Sequence, residues 1–353
     1  MKKPIISGIQ QVGVGNPDVH KTFKWYRQKL GMDVPVFEEA AEAALMLPYT
    51  GGEPKSRHAI LAINMKGGGG LEIWQYVDRE PHFPKFELQL GDLGIFAAKF
   101  GSGDVNAAFG KLQLDGENIL EKEAMDPAKR NTFFLKDLYG NVIQIVPSNY
   151  TFKKTKSITG GVYGAIIGVS DIDKAREVYS DILGYSKVVY DKSGNFEDFS
   201  GVPGGHHKFR RVLLQEEKPR SGAFSKLLGP GEIELVQVLD REPRKIYENR
   251  FWGDPGYIHL CFDINGMAEL KTLCESKGYH FTADSSDSFD MGEAAGHFSY
   301  IEDPDGTLIE FVETHKVPIM KKIGWYLNLK KRDPSKALPG WMLSAMGWGR
   351  VKD

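Results

Sequence analysis

Apolar and polar residues alternate in short bursts along this chain, and the bursts are punctuated by helix-spaced stretches and glycines. In Gly256-Tyr257-Ile258-His259-Leu260-Cys261-Phe262, strand alternation sets Ile258, Leu260 and Phe262 on one face and His259 and Cys261 on the other. Asp303-Pro304-Asp305-Gly306 predicts a turn, and the strand after it sets Ile309 and Phe311 opposite Glu310. If both apolar faces rest on helices, His259 and Glu310 project from the other face of one sheet. An imidazole and a carboxylate so placed suit Zn, Ni, Mn or Fe. A polar pair in a wet cleft would produce the same local pattern.

The pattern occurs four times. Asp78-Arg79-Glu80-Pro81 recurs as Asp240-Arg241-Glu242-Pro243, and the strands led by Gly94 and Gly256 follow at the same spacing, so the two halves are copies. Each half divides again. The first module predicts a strand at Ile9 to Val14, then a helix capped by Asp18 with Val19, Phe23, Tyr26 and Leu30 inward and Gly31 as its stop. Strands at Val34 to Phe37, His58 to Asn64 and Leu71 to Trp74 complete it. The second module has strands from Gly94, Thr132 and Asn141 and a helix from Asp104 to Leu114. The third has a strand from Gly164, a helix carrying Ile172, Ala175, Val178 and Ile182 that ends at Gly184, and strands from Lys187, Phe209 and Glu232. The fourth runs from His259 through a helix at Met267, Leu270 and Leu273 to Glu310.

The expected fold is α+β: four βαβββ modules paired into two cup-shaped, partly open barrels with helices outside. One such unit is too small to bury a good core, so pairing is required. Along the chain the division is 1–150 (modules at about 5–78 and 93–148), 158–316 (modules at about 160–240 and 255–316) and a basic, aromatic tail at 317–353, with Ser148 to Ser157 as linker. The tail is expected to wrap the C-terminal module and bury its tryptophans.

Composition narrows the function classes. The 353 residues carry a net charge of −2, which leaves no electrostatic footprint for nucleic acid. No signal-like or membrane-spanning run is present, so a cytoplasmic protein without membrane insertion is expected. The two cysteines, Cys261 and Cys274, cannot make a secreted-type disulfide framework, and Cys261 reads as a small apolar filler. The partner expected is a small molecule; monomer and homodimer both stay open.

Four βαβββ modules with these turns resemble the vicinal oxygen chelate superfamily of glyoxalase I, extradiol dioxygenases and fosfomycin and bleomycin resistance proteins. The resemblance covers roughly residues 5–316 and rests most on Val169-Ser170-Asp171, Val178-Tyr179, Leu183-Gly184-Tyr185, Asp303-Pro304-Asp305-Gly306 and Ile309-Glu310. It implies metal ligands on the first and last strands of modules. The matching positions are Gln11 and Glu72, Ala97 and Gln144, Gly164 and Glu234, and His259 and Glu310. Ala97 and Gly164 cannot ligate, so one cup is expected to hold one divalent metal.

If module one pairs with four, the set is Gln11, Glu72, His259 and Glu310, similar to the Gln/Glu/His/Glu site of glyoxalase I. If three pairs with four, as in extradiol dioxygenases, Glu234 joins His259 and Glu310 in place of Gln11 and Glu72. The first pairing gathers more competent ligands and is preferred. The resemblance then implies a glyoxalase-like lyase or isomerase, with the metal stabilising an enediolate, Glu310 or Glu72 moving the proton, and Tyr300 as acid or substrate donor. A ring-cleaving dioxygenase and a metal-free binding or resistance protein are the alternatives; the dioxygenase would need its first histidine where Gly164 stands. His206-His207, adjacent in a loop, face opposite ways and make a poor ligand pair. No cationic set for glutathione can be assigned: Arg27 lies on a helix face and Gly15 leaves a bare spot.

Overall fold

The computed structural model describes residues 3–120, 124–286, 289–291, 294–320 and 325–352. In module one, β1 (Ile5–Gly15) leads to α1 (Val19–Leu30), then β2 (Val34–Glu42), β3 (Ser56–Ile63) and β4 (Gly70–Tyr76). Asp18 caps α1 by accepting from the Lys21 amide, and Gly31 ends it at φ 68°, the left-handed position that favours glycine. Module two contains β5 (Gly94–Ser102), α2 (Val105–Leu114), the short β6 (Asn118–Ile119) and β7 (Ala124–Met125), then β8 (Asn131–Lys136) and β9 (Val142–Pro147).

Module three has β10 (Val162–Gly168), α3 (Ile172–Arg176, continued by a π turn over Glu177–Ile182), β11 (Lys187–Gly194), β12 (Phe209–Gln215), α4 (Ser225–Leu228) and β13 (Glu232–Val238). Module four has β14 (Gly256–Asn265), α5 (Met267–Ser276), β15 (Ala283–Asp284), β16 (Phe289–Met291), β17 (Ala294–Glu302) and β18 (Leu308–Thr314). The tail adds β19 (Lys316–Met320), β20 (Trp325–Asn328) and α6 (Gly340–Ala345).

The sheets do not follow the halves of the chain. One sheet runs β15-β17-β18-β14-β1-β4-β3-β2 and joins modules four and one; the other runs β11-β12-β13-β10-β5-β9-β8-β6 and joins modules three and two. The division at residue 150 is therefore one of sequence, whereas each cup takes a module from either half. The Asp-Arg-Glu-Pro repeat supplies a physical reason. Arg79 reaches 2.7 Å to Asp254, just before β14, and Arg241 reaches 2.7 Å to Asp92, just before β5. Each aspartate also accepts backbone amides from both halves: His82 and Phe251 for Asp254, Gln89 and Arg244 for Asp92. The two loops thus clasp one another reciprocally and lay each half's second module beside the other half's first.

The convex faces of both sheets and the helices share one core, which includes Tyr26, Phe100, Tyr179 and Phe262. Two buried tyrosines tie it together in matching ways: Tyr26 donates to Asp137 at 2.9 Å and Tyr179 to Asp303 at 2.8 Å. The concave faces carry separate clusters, one around Trp74, Trp252 and Tyr300, the other around Phe134, Phe199 and Phe209. Gly15 is not a bare spot in a cup; a Cβ there would meet the Asp254 carbonyl oxygen at 2.2 Å, so glycine lets the chain cross.

The linker and tail depart from expectation. Thr159 donates to the Leu30 carbonyl, Asn64 donates to the Thr159 carbonyl, and the Phe152 amide donates to the Lys66 carbonyl, so the 148–159 stretch is tied to module one. The tail buries Leu329, Leu338 and Leu343 against Val34, Ile63 and Met65 of module one and Leu227 of module three. Two of its tryptophans are not buried as expected: Trp341 is 58% and Trp348 77% exposed. Leu329, Leu338 and Leu343 make that contact in their place. Lys321, Lys322 and the side chains of Trp325 and Tyr326 lie outside the described residues. No helix among those described is long and apolar enough to cross a membrane.

Asp263 on β14 is an acid buried in this framework. Burial pushes its carboxyl up to about 7 against a hydrogen bond from Ser7. A raised carboxyl favours the protonated fold, so its stabilisation is full below about pH 4 and is lost as pH rises to about 7. Asp263→Asn is expected to flatten that slope and to raise stability at pH 8 by roughly 1–3 kcal/mol. Urea unfolding at pH 5 and pH 8 checks this; equal slopes in both proteins would refute it.

Candidate metal centre

The cup of modules one and four brings together Gln11, Glu72, His259 and Glu310, which lie on β1, β4, β14 and β18. Register explains the meeting. Gln11 lies opposite Cys261, Cys261 opposite Glu310, and Glu310 opposite Tyr300, which makes one row across the sheet. In the neighbouring row Gly13 lies between His259 and Glu72. Ile258 falls at a register shift between β1 and β14, since Gly13 pairs with His259 but Val14 with Tyr257. This bulge overturns strict alternation: Ile258, expected beside Leu260 and Phe262, joins Cys261 in the cup, and Tyr257 takes the core side.

The donor atoms converge. His259 Nε2 lies 3.1 Å from Glu310 Oε2 and 3.3 Å from Glu72 Oε2. Gln11 Nε2 donates to the same two oxygens, at 3.2 Å to Glu72 and 3.4 Å to Glu310. Tyr300 donates to Glu310 Oε1 at 2.7 Å, and its oxygen lies 3.5 Å from His259 Nδ1. One atom each from Glu72, His259 and Glu310 falls within 4.8 Å of the others, a grouping that could hold a cation. His259 is fully buried, Glu310 nearly so, and Glu72 half-buried.

Two atoms test whether these residues suit a metal. Gln11 Oε1 is buried without a hydrogen-bond partner, and His259 Nε2 faces two carboxylate oxygens at 3.1 and 3.3 Å without a well-aligned hydrogen bond to either. Buried polar atoms seldom stay unpaired, and these are an imidazole nitrogen and an amide oxygen beside two carboxylates. Turning the Gln11 amide over would set its oxygen where the nitrogen now bridges the carboxylates. The donor set fits a divalent ion of the Zn, Ni, Mn or Fe kind. Burial lowers the His259 pKa, but Glu310 and Glu72 outweigh it and the net shift is upward. Burial raises Glu310, with His259 opposing and Glu72 adding to the rise.

Some residues around the centre were not legible in the sequence. A Cβ on Gly13 would stand 2.5 Å from His259 Cε1, so the glycine makes the space that the imidazole occupies. A glycine inside a strand was the available signal. Trp252 stacks over His259 at 6.3 Å and 18°, and nothing local predicted it. Gly13→Ala is expected to displace the imidazole and weaken metal binding by about 10- to 100-fold while the protein stays folded. Titration of the stripped protein beside its circular dichroism checks this, and unchanged affinity would refute it.

The other cup is closed by ion pairs. Glu234, the alternative ligand, lies in the other sheet from His259 and Glu310. Lys99 Nζ reaches Glu234 at 2.7 Å and Glu232 at 2.9 Å, Arg211 reaches Glu234 at 2.6 Å, and Tyr190 donates to Glu234 at 2.6 Å. Burial would raise Glu234, but Arg211 and Lys99 outweigh it and hold the carboxyl far below the usual range. A carboxylate already neutralised by two buried cations offers a divalent ion little net charge. Ala97 and Gly164 stand at their expected strands, and a Cβ on Gly164 would meet the Glu232 carbonyl oxygen at 1.9 Å. His207 pairs with Asp240 at 3.1 Å. Cys261 is buried and donates to Gln10, so it is a polar contact as well as a filler.

Comparisons with known proteins agree with this architecture. Residues 8–145 and 165–298 each match a family model described as the glyoxalase/bleomycin resistance protein/dioxygenase superfamily. A search of curated protein sequences gives no significant match. Among solved structures, glyoxalase I from Zea mays is similar over 87% of this chain and 92% of its own, at 10% identity and a TM-score of 0.54. A candidate dioxygenase from Bacillus subtilis is similar over 99% of this chain and 98% of its own, at 14% identity and a TM-score of 0.55. At these identities the likeness is one of fold.

Proposed function

The chain belongs to the glyoxalase/bleomycin resistance protein/dioxygenase superfamily, and on that premise we propose a divalent-metal-dependent, glyoxalase-like lyase or isomerase acting on a small molecule with two adjacent oxygens. The observation that carries this reading is the convergence of Glu72, His259 and Glu310, with His259 Nε2 aimed between the two carboxylates and Gln11 Oε1 buried without a partner beside them. A bound ion would supply Lewis-acid stabilisation of the negative charge that develops on the substrate oxygens. In this reading Glu310 takes a proton from carbon and returns it to the neighbouring carbon, a role that a carboxylate at the centre can fill. Tyr300 holds Glu310 Oε1 through its hydroxyl and so aims the other oxygen at the centre. Glu72, half-buried, is the second carboxylate able to move a proton. Trp252 covers His259 and keeps water from that side.

The single imidazole supports this reading over ring cleavage, because oxygen activation by non-haem iron favours two histidines and one carboxylate. Metal content of the purified protein, by mass spectrometry, is the test. One equivalent of divalent metal that Glu72→Ala and Glu310→Ala both release is expected, together with turnover of α-oxoaldehyde hemithioacetals or related vicinal-oxygen compounds. No metal after reconstitution with Zn, Ni, Mn and Fe(II) would sink the enzyme reading in favour of a binding protein. Oxygen uptake with catechols would instead establish the dioxygenase.

A further inference from the structure

A second convergence of ligating side chains lies outside the cup. His20 stands in the first turn of α1, Glu38 on β2 and His58 on β3. His58 Nε2 is 3.1 Å and His20 Nδ1 3.8 Å from the same oxygen, Glu38 Oε1, and the two rings stand edge to face with centroids 5.1 Å apart. Each residue offers one donor atom within 4.8 Å of the other two. Their chain neighbours Phe37 and Ala59 pack into the cup cluster, so Glu38 and His58 project from the opposite, helix-bearing face of the sheet. Among the described residues no lysine or arginine pairs with Glu38.

We propose that His20, Glu38 and His58 form a second divalent-cation site, of the zinc class, on the outer face of module one. Two imidazoles and a carboxylate are borderline ligands that match Zn²⁺, and three protein ligands with a solvent-facing side leave a fourth position for water. Because the ligands come from three separate elements, packing rather than the ion brings them together. A bound ion would pin the start of α1 to the β2–β3 pair, whose inner face lines the cup. The two histidines are partly exposed, so an ion can enter without opening the core.

The test titrates Zn²⁺ into metal-stripped wild type, His20→Ala, His58→Ala and His259→Ala in competition with a chromophoric chelator. Co²⁺ absorption then reports coordination geometry. His20→Ala and His58→Ala are each expected to weaken one equivalent of Zn²⁺ by at least about tenfold and to lose the matching Co²⁺ band, whereas His259→Ala keeps both. The proposal is overturned if the isotherms of wild type and the two surface variants coincide at micromolar free Zn²⁺. It is equally overturned if only His259→Ala loses metal. An equivalent lost in the surface variants alone would support this site while counting against the cup, so the two failures are distinguishable.

Discussion

His259→Ala is expected to release the metal of the cup and to abolish turnover, with loss of affinity of at least about 100-fold. Removing an outer partner of a metal ligand already costs about 10- to 100-fold, and here the ligand itself is lost. Glu72 and Glu310 would then face one another across an empty space with only the Gln11 amide between them. Two carboxylates so close repel, and one of them takes up a proton, which further weakens any ion they could share. The backbone should be little affected, because the space beside Gly13 was made for the ring and closes nothing when empty. Metal content and activity measured beside His207→Ala, a partly exposed loop control, check this. Full metal content in His259→Ala would remove the centre from the cup.

The second large effect lies in the other cup and concerns stability. Lys99→Met is expected to cost roughly 3–5 kcal/mol, because breaking a buried ion network at one member leaves the remaining charges uncompensated. Lys99 is fully buried between Glu232 and Glu234, which are also buried. Arg130 and Arg211 would still hold one carboxylate each, which keeps the loss below that of an isolated buried charge. Against a typical total of about 5–15 kcal/mol this is a large fraction. Guanidinium unfolding at pH 7 measures it; a loss under about 1 kcal/mol would mean that the network contributes little. Metal content of the first cup should not change, since the two sets of residues lie in different sheets.

Both predictions turn on one contrast between cups of common design. Where module four presents His259, module two presents Ala97; where module one presents Gln11, module three presents Gly164. The absence of ligands in the second pair was readable from residue type alone. What replaced them was not, because Lys99 and Arg211 become counter-ions only when β12, β13, β10 and β5 are laid in that order in one sheet.

Local rules served well wherever the partner of a residue lay nearby in the chain. The Asp18 cap, the Gly31 stop, the strand–helix–strand order and the opposed faces of Ile309, Glu310 and Phe311 depend on neighbouring residues, and the sequence by itself determined them. It also determined that the modules must pair and which few positions carry side chains able to ligate, Gln11, Glu72, Glu234, His259 and Glu310 among them. Only the tertiary structure decided that module one joins module four, that Ile258 turns into the cup, that Trp252 covers His259, and that the tail leaves Trp341 and Trp348 exposed. Each of those outcomes depends on contacts between segments far apart in sequence: reciprocal clasps at Asp92 and Asp254, a register shift on β1, and aliphatic packing against module one. A strand's own residues set which side chains alternate, but its neighbour in the sheet sets their register, and register is what places a carboxylate beside an imidazole.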